Sequence, residues 1–526
     1  MLDKKKFAKS VGILSNVTFL NVLFSFFNSL LIAYYFGVSR ELEIYFAALT
    51  LFQLAQKLSH SGIISEVFIP YFVKYADTPF YYKYANSLIS IFILIGILLI
   101  IMLIFLAKPL MSFLIPGFST EDISNSTVIY IYVLPLLPIV IVNSIFDAIL
   151  QARKRFGITE GGILVSQIIG LCLFLLLVGS LNIYALLISF MCAPIVRIVF
   201  VSTQIRDVIK NFRFELNLKD EEVTSSLFKI TPFIGYTFIT QGVIFFTTSI
   251  VSFLPQGSLA ILKYSQNIFD KMSRITTGPI VTVAYVELSE AINSSLEKFA
   301  RLFKSVYSYA LPVSLIVISL ILLGNEELLS IIFVRGKFSQ GDANILYYCL
   351  LVQSFSLPFA IYSVMSRKSF ISVHKTTLAN IFMILHQVIY IALVYFLAER
   401  WGIIGVLLST SFTYFFMTFI YYLMQRKIFA FKYSWNEIKK ILSIVAIIIL
   451  GIMPIIIFRF IINEYFLLKE PVYLTAVAIF LYYLMFLSFT ILLSKIFHVE
   501  EIYKLYLSVK ELFQRLLSLK IKFNTK

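Results

Sequence analysis

The chain has 526 residues, of which 60% are hydrophobic, 16% aromatic and only 14% charged, with a net charge of +16. So little charge cannot cover the surface of a water-soluble domain of this size, and apolar runs of about twenty residues, each able to cross about 30 Å of hydrocarbon, recur from end to end. The composition excludes a soluble enzyme. It predicts an all-α polytopic membrane protein, because lipid-exposed backbone must be satisfied within each segment and the runs are too evenly apolar for barrel strands.

About fourteen spans are predicted, at 11–38, 43–72, 84–108, 123–150, 158–180, 183–205, 224–252, 258–289, 300–323, 343–366, 377–398, 402–425, 438–462 and 471–495. The first follows "MLDKKKFAK", yet its apolar part outruns a signal peptide and no small-residue cleavage pattern closes it, so it reads as a retained helix. Grouped, these give a cytoplasmic N-terminus (1–10), an N-lobe (11–205), a cytoplasmic linker (206–223), a C-lobe (224–425), a final pair (438–495) and a cytoplasmic amphipathic helix (498–526). In the last, Ile502, Leu505, Val509, Leu512, Leu516 and Leu519 recur at three and four, with lysines between them. That is the pattern of a helix lying on the membrane surface, or of one that binds a partner.

Basic residues fall on one set of connections: Lys4, Lys5, Lys6, Lys74, Lys83, Arg153, Lys154, Arg155, Arg206, Lys210, Lys298, Arg301, Arg367, Lys368, Arg426, Lys427 and the tail. The alternate connections hold Arg40, Lys108, Arg335, Lys337, Arg400 and Lys469. The bias predicts both termini in the cytoplasm. The positive net charge then reflects topology, and no connection is long enough to form a nucleic-acid-binding domain. Cys172, Cys192 and Cys349 are odd in number and lie in or beside spans, so neither a disulfide framework nor a zinc site is expected.

The halves repeat. "LMSFLIPGFSTEDISN" leads through a span to "QARKRF" and "NIYALLISF"; "LLSIIFVRGKFSQGDAN" leads through a span to "MSRKSF" and "GIIGVLLSTSF". A unit of about six spans preserves orientation, so two parallel six-helix lobes are expected with a cavity between them, and spans 13 and 14 outside the repeat.

Ionisable groups within spans cost about 2.5–3.5 kcal/mol each on insertion scales, so they mark water, partners or a substrate path. In span 8, Lys263, Asn267, Asp270 and Arg274 step by four, three and four along one face, flanked by Gln266 and Lys271. In span 2, Gln53, Gln56, Lys57 and His60 share a face. Asn21, Ser25 and Asn28 make a weaker row in span 1, and Thr237, Thr240 and Gln241 line span 7. One account is structural: Asp270 pairs with Lys271 or Arg274, Lys57 snorkels, and His60 is a satisfied core histidine. The other is that three bases sharing one acid leave surplus positive charge for an anion such as pyrophosphate. His386 is isolated, Glu66 lies near a helix end, and no nucleotide-binding loop or nucleophile elbow occurs.

On "IAYYFGVSRELEIYFAA", "GIISEVFIPYF", "LIPGFS", "GSLAILKYSQNIF" and "FVRGKFSQGDA", the chain resembles the MurJ/MviN family of lipid II flippases, within the MOP superfamily that also holds the Wzx flippases and MATE exporters. The resemblance implies fourteen helices in two six-helix lobes plus a terminal pair that forms a lipid-facing groove. It also implies alternating access, with a cavity of spans 1, 2, 7 and 8 taking the head group of a polyprenyl-pyrophosphate glycan. The family's cavity arginines are absent: the span 1 positions fall on Val22 and Asn28, the span 2 position on Gln56, and the span 8 motif on Ser265, Gln266 and Asn267. Asp270 and Glu43 keep acids that the family has, Glu43 and Glu66 being gate or coupling candidates, and Lys57, Lys263, Lys271 and Arg274 are the available cations. The resemblance implies a monomeric transporter with no bound cofactor, driven by membrane potential or an ion gradient, whose partners are a lipid-linked glycan and membrane lipids. The cargo is lipid II or a related surface-polysaccharide precursor. A MATE-like exporter and a membrane glycan polymerase or ligase are the alternatives.

Overall fold

The computed structural model describes residues 4–60, 63–276, 287, 288, 290–292, 294–373, 375–429, 431–465, 472–504, 506 and 507. Regular structure among them is α-helical throughout: α1 (Lys4–Phe36), α2 (Arg40–His60), α3 (Ile63–Lys74), α4 (Phe80–Leu114), α5 (Thr120–Val133), α6 (Leu136–Ala152), α7 (Phe156–Leu181), α8 (Ile183–Ser202), α9 (Arg206–Lys210), α10 (Glu221–Phe228), α11 (Thr231–Ser252), α12 (Ser258–Thr276), α13 (Leu296–Phe333), α14 (Gln340–Ser354), α15 (Leu357–Ser372), α16 (Thr376–Ile428), α17 (Trp435–Tyr465) and α18 (Val472–Ile496).

Among the described residues, eight helices are long and apolar enough to cross a membrane, or ten when each of two bent pairs counts as one span. The fourteen predicted spans exceed this for sequence reasons. Spans 377–398 and 402–425 run together in α16 across a non-helical Gly402. The 224–252 span keeps the shorter apolar helix Thr237–Ser252, and the spans on α2 with α3 and on α12 carry the polar rows that dilute their apolar character.

Two compact units make up the chain: Met1–Lys263 with Arg335–Phe338, and Tyr264–Val334 with Ser339–Lys526. The expected lobe boundary lies in 206–223, whereas α11 here stays with the first unit, packed on α2 and α4, and the division falls inside α12. In the first unit, α3 and α4 join through a ring cluster in which Tyr71 stacks on Tyr84 at 5.7 Å and Phe72 meets Tyr84 edge-on at 5.5 Å. Arg153, from "QARKRF", clamps α9 by donating from both terminal nitrogens to Asp207, at 2.9 and 2.5 Å. Asp207 lies in a connection, and the guanidinium holds its carboxyl below the usual carboxylate range.

The second unit is built on an aromatic core. Phe303 meets Tyr362 at 5.2 Å and Phe431 at 5.4 Å, and Phe370 stacks on Phe429 at 5.3 Å. Val499 and Ile502 join this core, and Glu501 pairs with Lys440. The rest of the predicted C-terminal helix, 508–526, lies outside the described residues.

The repeat is visible inside each unit. Ser119 caps α5 by accepting from Asp122 N at 3.1 Å, and Ser339 caps α14 by accepting from Asp342 N at 3.2 Å. The following break bends α5 against α6 by 45° and α14 against α15 by 41°. The next corner is left-handed in both copies, at Asn182 (φ 47°, ψ −124°) and Gly402 (φ 56°, ψ −137°). At the second, a Cβ on Gly405 would stand 2.0 Å from the Leu397 oxygen, whereas eight residues of straight helix span about 12 Å, so α16 doubles back on itself.

These two corners give opposite expectations for the same conformation. Asn182→Gly removes a Cβ from a left-handed residue and is expected to stabilise the protein, while Gly402→Ala adds one with open space around it and is expected to cost more than about 1 kcal/mol through backbone strain alone. Thermal unfolding of the two purified variants checks both signs.

Candidate functional site

Glu43, one turn into α2, is 1% exposed and reaches the start of α12, where its Oε1 accepts from Leu259 N at 2.9 Å. The backbone N–H groups of Gly257 and Ala260 also face this carboxylate, and Arg40 pairs with it at 3.0 Å. A buried anion at a helix N-terminus satisfies orphan donors and meets the positive end of the helix dipole. Arg40 also lies 4.1 Å over the Phe118 ring and 3.7 Å from Asp122, tying α5 to the same corner. Two loops close it: Gly117 N donates to Ser252 Oγ at the end of α11 (3.0 Å), and Lys337 N donates to the Tyr34 oxygen near the end of α1 (2.8 Å). Gly336 (φ 60°) permits the second contact, since a Cβ there would sit 2.2 Å from the Tyr34 oxygen. "AYYFGVSRELE", "LIPGFS", "GSLAILK" and "FVRGKFS" are therefore four strands of one knot. Glu43, a gate or coupling candidate from sequence, is here a helix cap.

The polar row of α12 is partly kept. Asn267 and Asp270 are exposed and Lys263 and Gln266 half-buried, which places them on an accessible stripe. Lys271 is only 9% exposed and leaves that stripe for the buried side, together with Ser265, which donates to Gln353 Oε1 at 2.9 Å. The side chains of Arg274, His60 and Glu66 lie outside the described residues. On α2, Gln53 and Lys57 are exposed one turn apart, and Gln56 is half-buried. The structure brings Lys57 and Lys263 close enough for their charges to repel, and neither has an ion-pair partner among the described residues. On α1 the expected row divides: Asn28 is half-buried, while Asn21 is buried and donates to Glu160 Oε2 on α7 at 2.8 Å.

Sequence reasoning passed over Asp147, Glu160 and Arg197. Arg197 on α8 pairs with Asp147 on α6 at 2.6 Å. Each of the three stands inside a predicted span, so the rule that ionisable residues in spans mark function was the signal available to find them.

Stacked apolar helices with a duplicated cap, bend and left-handed corner, carrying two lysines whose charges repel, are the build of a repeat-based membrane transporter. Its fold is shared with a solved structure of the lipid II flippase MurJ in an inward closed conformation, at a TM-score of 0.75 and 20% identity, over 92% of this chain and 98% of that one. A multidrug resistance MATE family transporter of the MOP superfamily is more distant, at 0.63 and 13% identity, over 77% of this chain and 94% of that one. The family description "Lipid II flippase MurJ" matches residues 32–476, and the chain belongs to that family of transporters. Probable lipid II flippases MurJ from Borreliella burgdorferi (22% identical; 94% of this chain, 98% of the relative) and Buchnera aphidicola subsp. Baizongia pistaciae (25% identical; 64% and 67%) are among its relatives.

Replacing Glu43 separates the charge of the cap from its shape. Glu43→Ala leaves buried N–H groups unpaired and is expected to cost about 1–3 kcal/mol, whereas Glu43→Gln keeps an acceptor and should lose less than half as much. Thermal midpoints of the two variants in one detergent check the order.

Proposed function

We propose that this protein is a lipid II flippase, carrying an undecaprenyl-pyrophosphate-linked glycan from the cytoplasmic to the outer face of the inner membrane by alternating access. The family match over residues 32–476 carries this reading. The Lys57–Lys263 pair supports it, because two repelling cations in an apolar setting are stabilised together by a pyrophosphate bound between them. Lysine offers a point charge where arginine offers a planar fork, so head-group recognition here relies on charge. The prenyl tail stays in the surrounding membrane lipids.

Both termini are cytoplasmic in this reading, and the working unit is a monomer without a bound cofactor. An interior-negative potential favours outward movement of an anionic head group by about 2.3 kcal/mol per charge per 100 mV. Such a potential or an ion gradient is the driving force. A MATE-like exporter of organic cations fits less well, because the lysine pair repels that cargo, and a glycan polymerase or ligase falls outside a family of transporters.

The test is complementation of a strain depleted of its lipid II flippase, beside flipping in proteoliposomes. The native chain is expected to restore growth, and Lys57→Gln with Lys263→Gln to reduce flipping at least about tenfold at unchanged expression. Failure of the well-expressed native chain to rescue growth would overturn lipid II as cargo. Undiminished flipping by the double variant would remove these lysines from the head-group site.

A further inference from the structure

The second unit contains a pocket outside the candidate cargo site. It encloses about 410 Å³, and its lining comes from α13, α15, α16, α17 and the loop that joins the last two. Tyr307 and Tyr362 form a buried side, whereas Phe415, Phe419 and Leu442 are 49%, 59% and 57% exposed, so the pocket opens on the apolar surface of the chain. Phe415 and Tyr422 lie seven residues apart on α16, which gives the pocket a reach of about 10 Å along that helix. Among the described residues none of α12 or α18 lines it, so it is neither part of the polar row on α12 nor the groove expected of the terminal helix pair.

The chemistry of the lining and of its basic end describes the occupant. The walls are aromatic and aliphatic, as in pockets that take small apolar ligands. Two of their hydroxyls are spent: Thr418 Oγ1 donates to the Phe359 oxygen at 3.1 Å and the Tyr362 hydroxyl to Gln425 Oε1 at 2.7 Å. Tyr433, on the joining loop, has a buried hydroxyl with no hydrogen-bond partner among the described residues. A buried phenol is nearly always paired, so the occupant should bring an acceptor oxygen as well as an apolar body. The loop itself is held by Lys304 on α13, which donates to the Lys432 oxygen at 2.5 Å and pairs with Glu437 at 2.9 Å, while Lys440 pairs with Glu501. With those acids used, Arg426, Lys427, Lys432 and Lys439 are exposed and have no ion-pair partner among the described residues. Lys432 and Lys439 are the chain neighbours of the lining residues Tyr433 and Ile438. A neutral lipid would leave these cations unmatched, and a water-soluble anion would leave the aromatic walls wet.

We propose that the pocket holds one acyl chain of an anionic phospholipid, with an ester oxygen accepting from the Tyr433 hydroxyl and the phosphate beside Lys432 and Lys439. In the topology proposed above this end is cytoplasmic, where anionic lipid attracts basic segments next to the membrane. An occupied pocket fastens α17 to α13, α15 and α16, so the lipid composition of the membrane sets how firmly α17 is held. The inference takes only the topology from the functional reading and is independent of the cargo.

The experiment uses the full chain purified in detergent without any lipid-linked substrate, so that a failure to bind phospholipid and a failure to flip are separate results. Phosphatidylglycerol and phosphatidylcholine with identical acyl chains are titrated in, with native mass spectrometry and thermal unfolding as readouts. The native chain should retain one phosphatidylglycerol and unfold several degrees higher with it than with phosphatidylcholine. Leu442→Trp, which adds bulk at the exposed mouth, should weaken that affinity at least about tenfold. Tyr433→Phe removes only the hydroxyl and should weaken it about fivefold. Lys432→Gln with Lys439→Gln should reduce the preference for phosphatidylglycerol over phosphatidylcholine at least about tenfold. Should Leu442→Trp fail to fold, Tyr433→Phe and the lysine variant, which leave the apolar packing alone, still decide. Equal stabilisation of the native chain by the two lipids, or binding of phosphatidylglycerol unchanged in Leu442→Trp, in Tyr433→Phe or in the lysine variant, would each overturn the site.

Discussion

A single buried carboxylate constrains the arrangement of the first unit. Glu43 is removed from water, and the cost of desolvating it is offset by backbone N–H groups at the start of α12 and by Arg40. Because the N–H groups lie in the first turn of α12 and Arg40 in the first turn of Glu43's own helix, satisfying this charge holds the starts of α2 and α12 together. The ends of α1, α2, α5, α11 and α12 are gathered there, and the direction in which α12 leaves this corner sets where Lys263 stands relative to Lys57. The strength of a charge-assisted cap thus reaches the candidate cargo site through the rigidity of one helix.

Duplication explains much of the remaining architecture. Both copies use a serine cap answered by an aspartate, a bend of similar size in the next span, and a left-handed residue at the following corner. One copy fills that corner with asparagine and the other with glycine, so only the second is free of a Cβ at its positive φ. What the copies do not share is charge: Arg153 holds Asp207 in a two-pronged clamp, while its counterpart Arg367 donates to the Met383 sulfur at 2.8 Å. Backbone geometry is repeated and side-chain chemistry has diverged, as expected when a fold persists and its sites are remodelled.

The helical class, the repeat and the family were legible in the sequence because they rest on periodic apolar runs and on short motifs whose glycines and serines have backbone duties. The candidate site was legible only in part. Lys57 and Lys263 could be placed on helix faces by counting, but counting put Lys271 only at the edge of the row, and packing decided that this edge is buried. A seam at three and four residues covers a broad arc of a helix, and the neighbours decide which edge of that arc faces water. Glu43 shows a different limit: its partner Leu259 is distant in the chain, so its capping contact emerges only from the fold. Asp147, Glu160 and Arg197 escaped notice because they lie in separate spans and at no common spacing.

The contact between Lys337 and Tyr34 has a bearing on biogenesis. Its partners lie about three hundred residues apart along the chain, so the corner that completes the first unit cannot close while that unit is being threaded into the bilayer. During synthesis the Tyr34 carbonyl must wait until α13 has followed, leaving the early helices inserted but unlatched. Contacts of such long range come late in assembly. A chain truncated before Arg335 would therefore lack a tie that its own N-terminal helices need, and quality control in the membrane would meet it as an unfinished product rather than as a small stable domain.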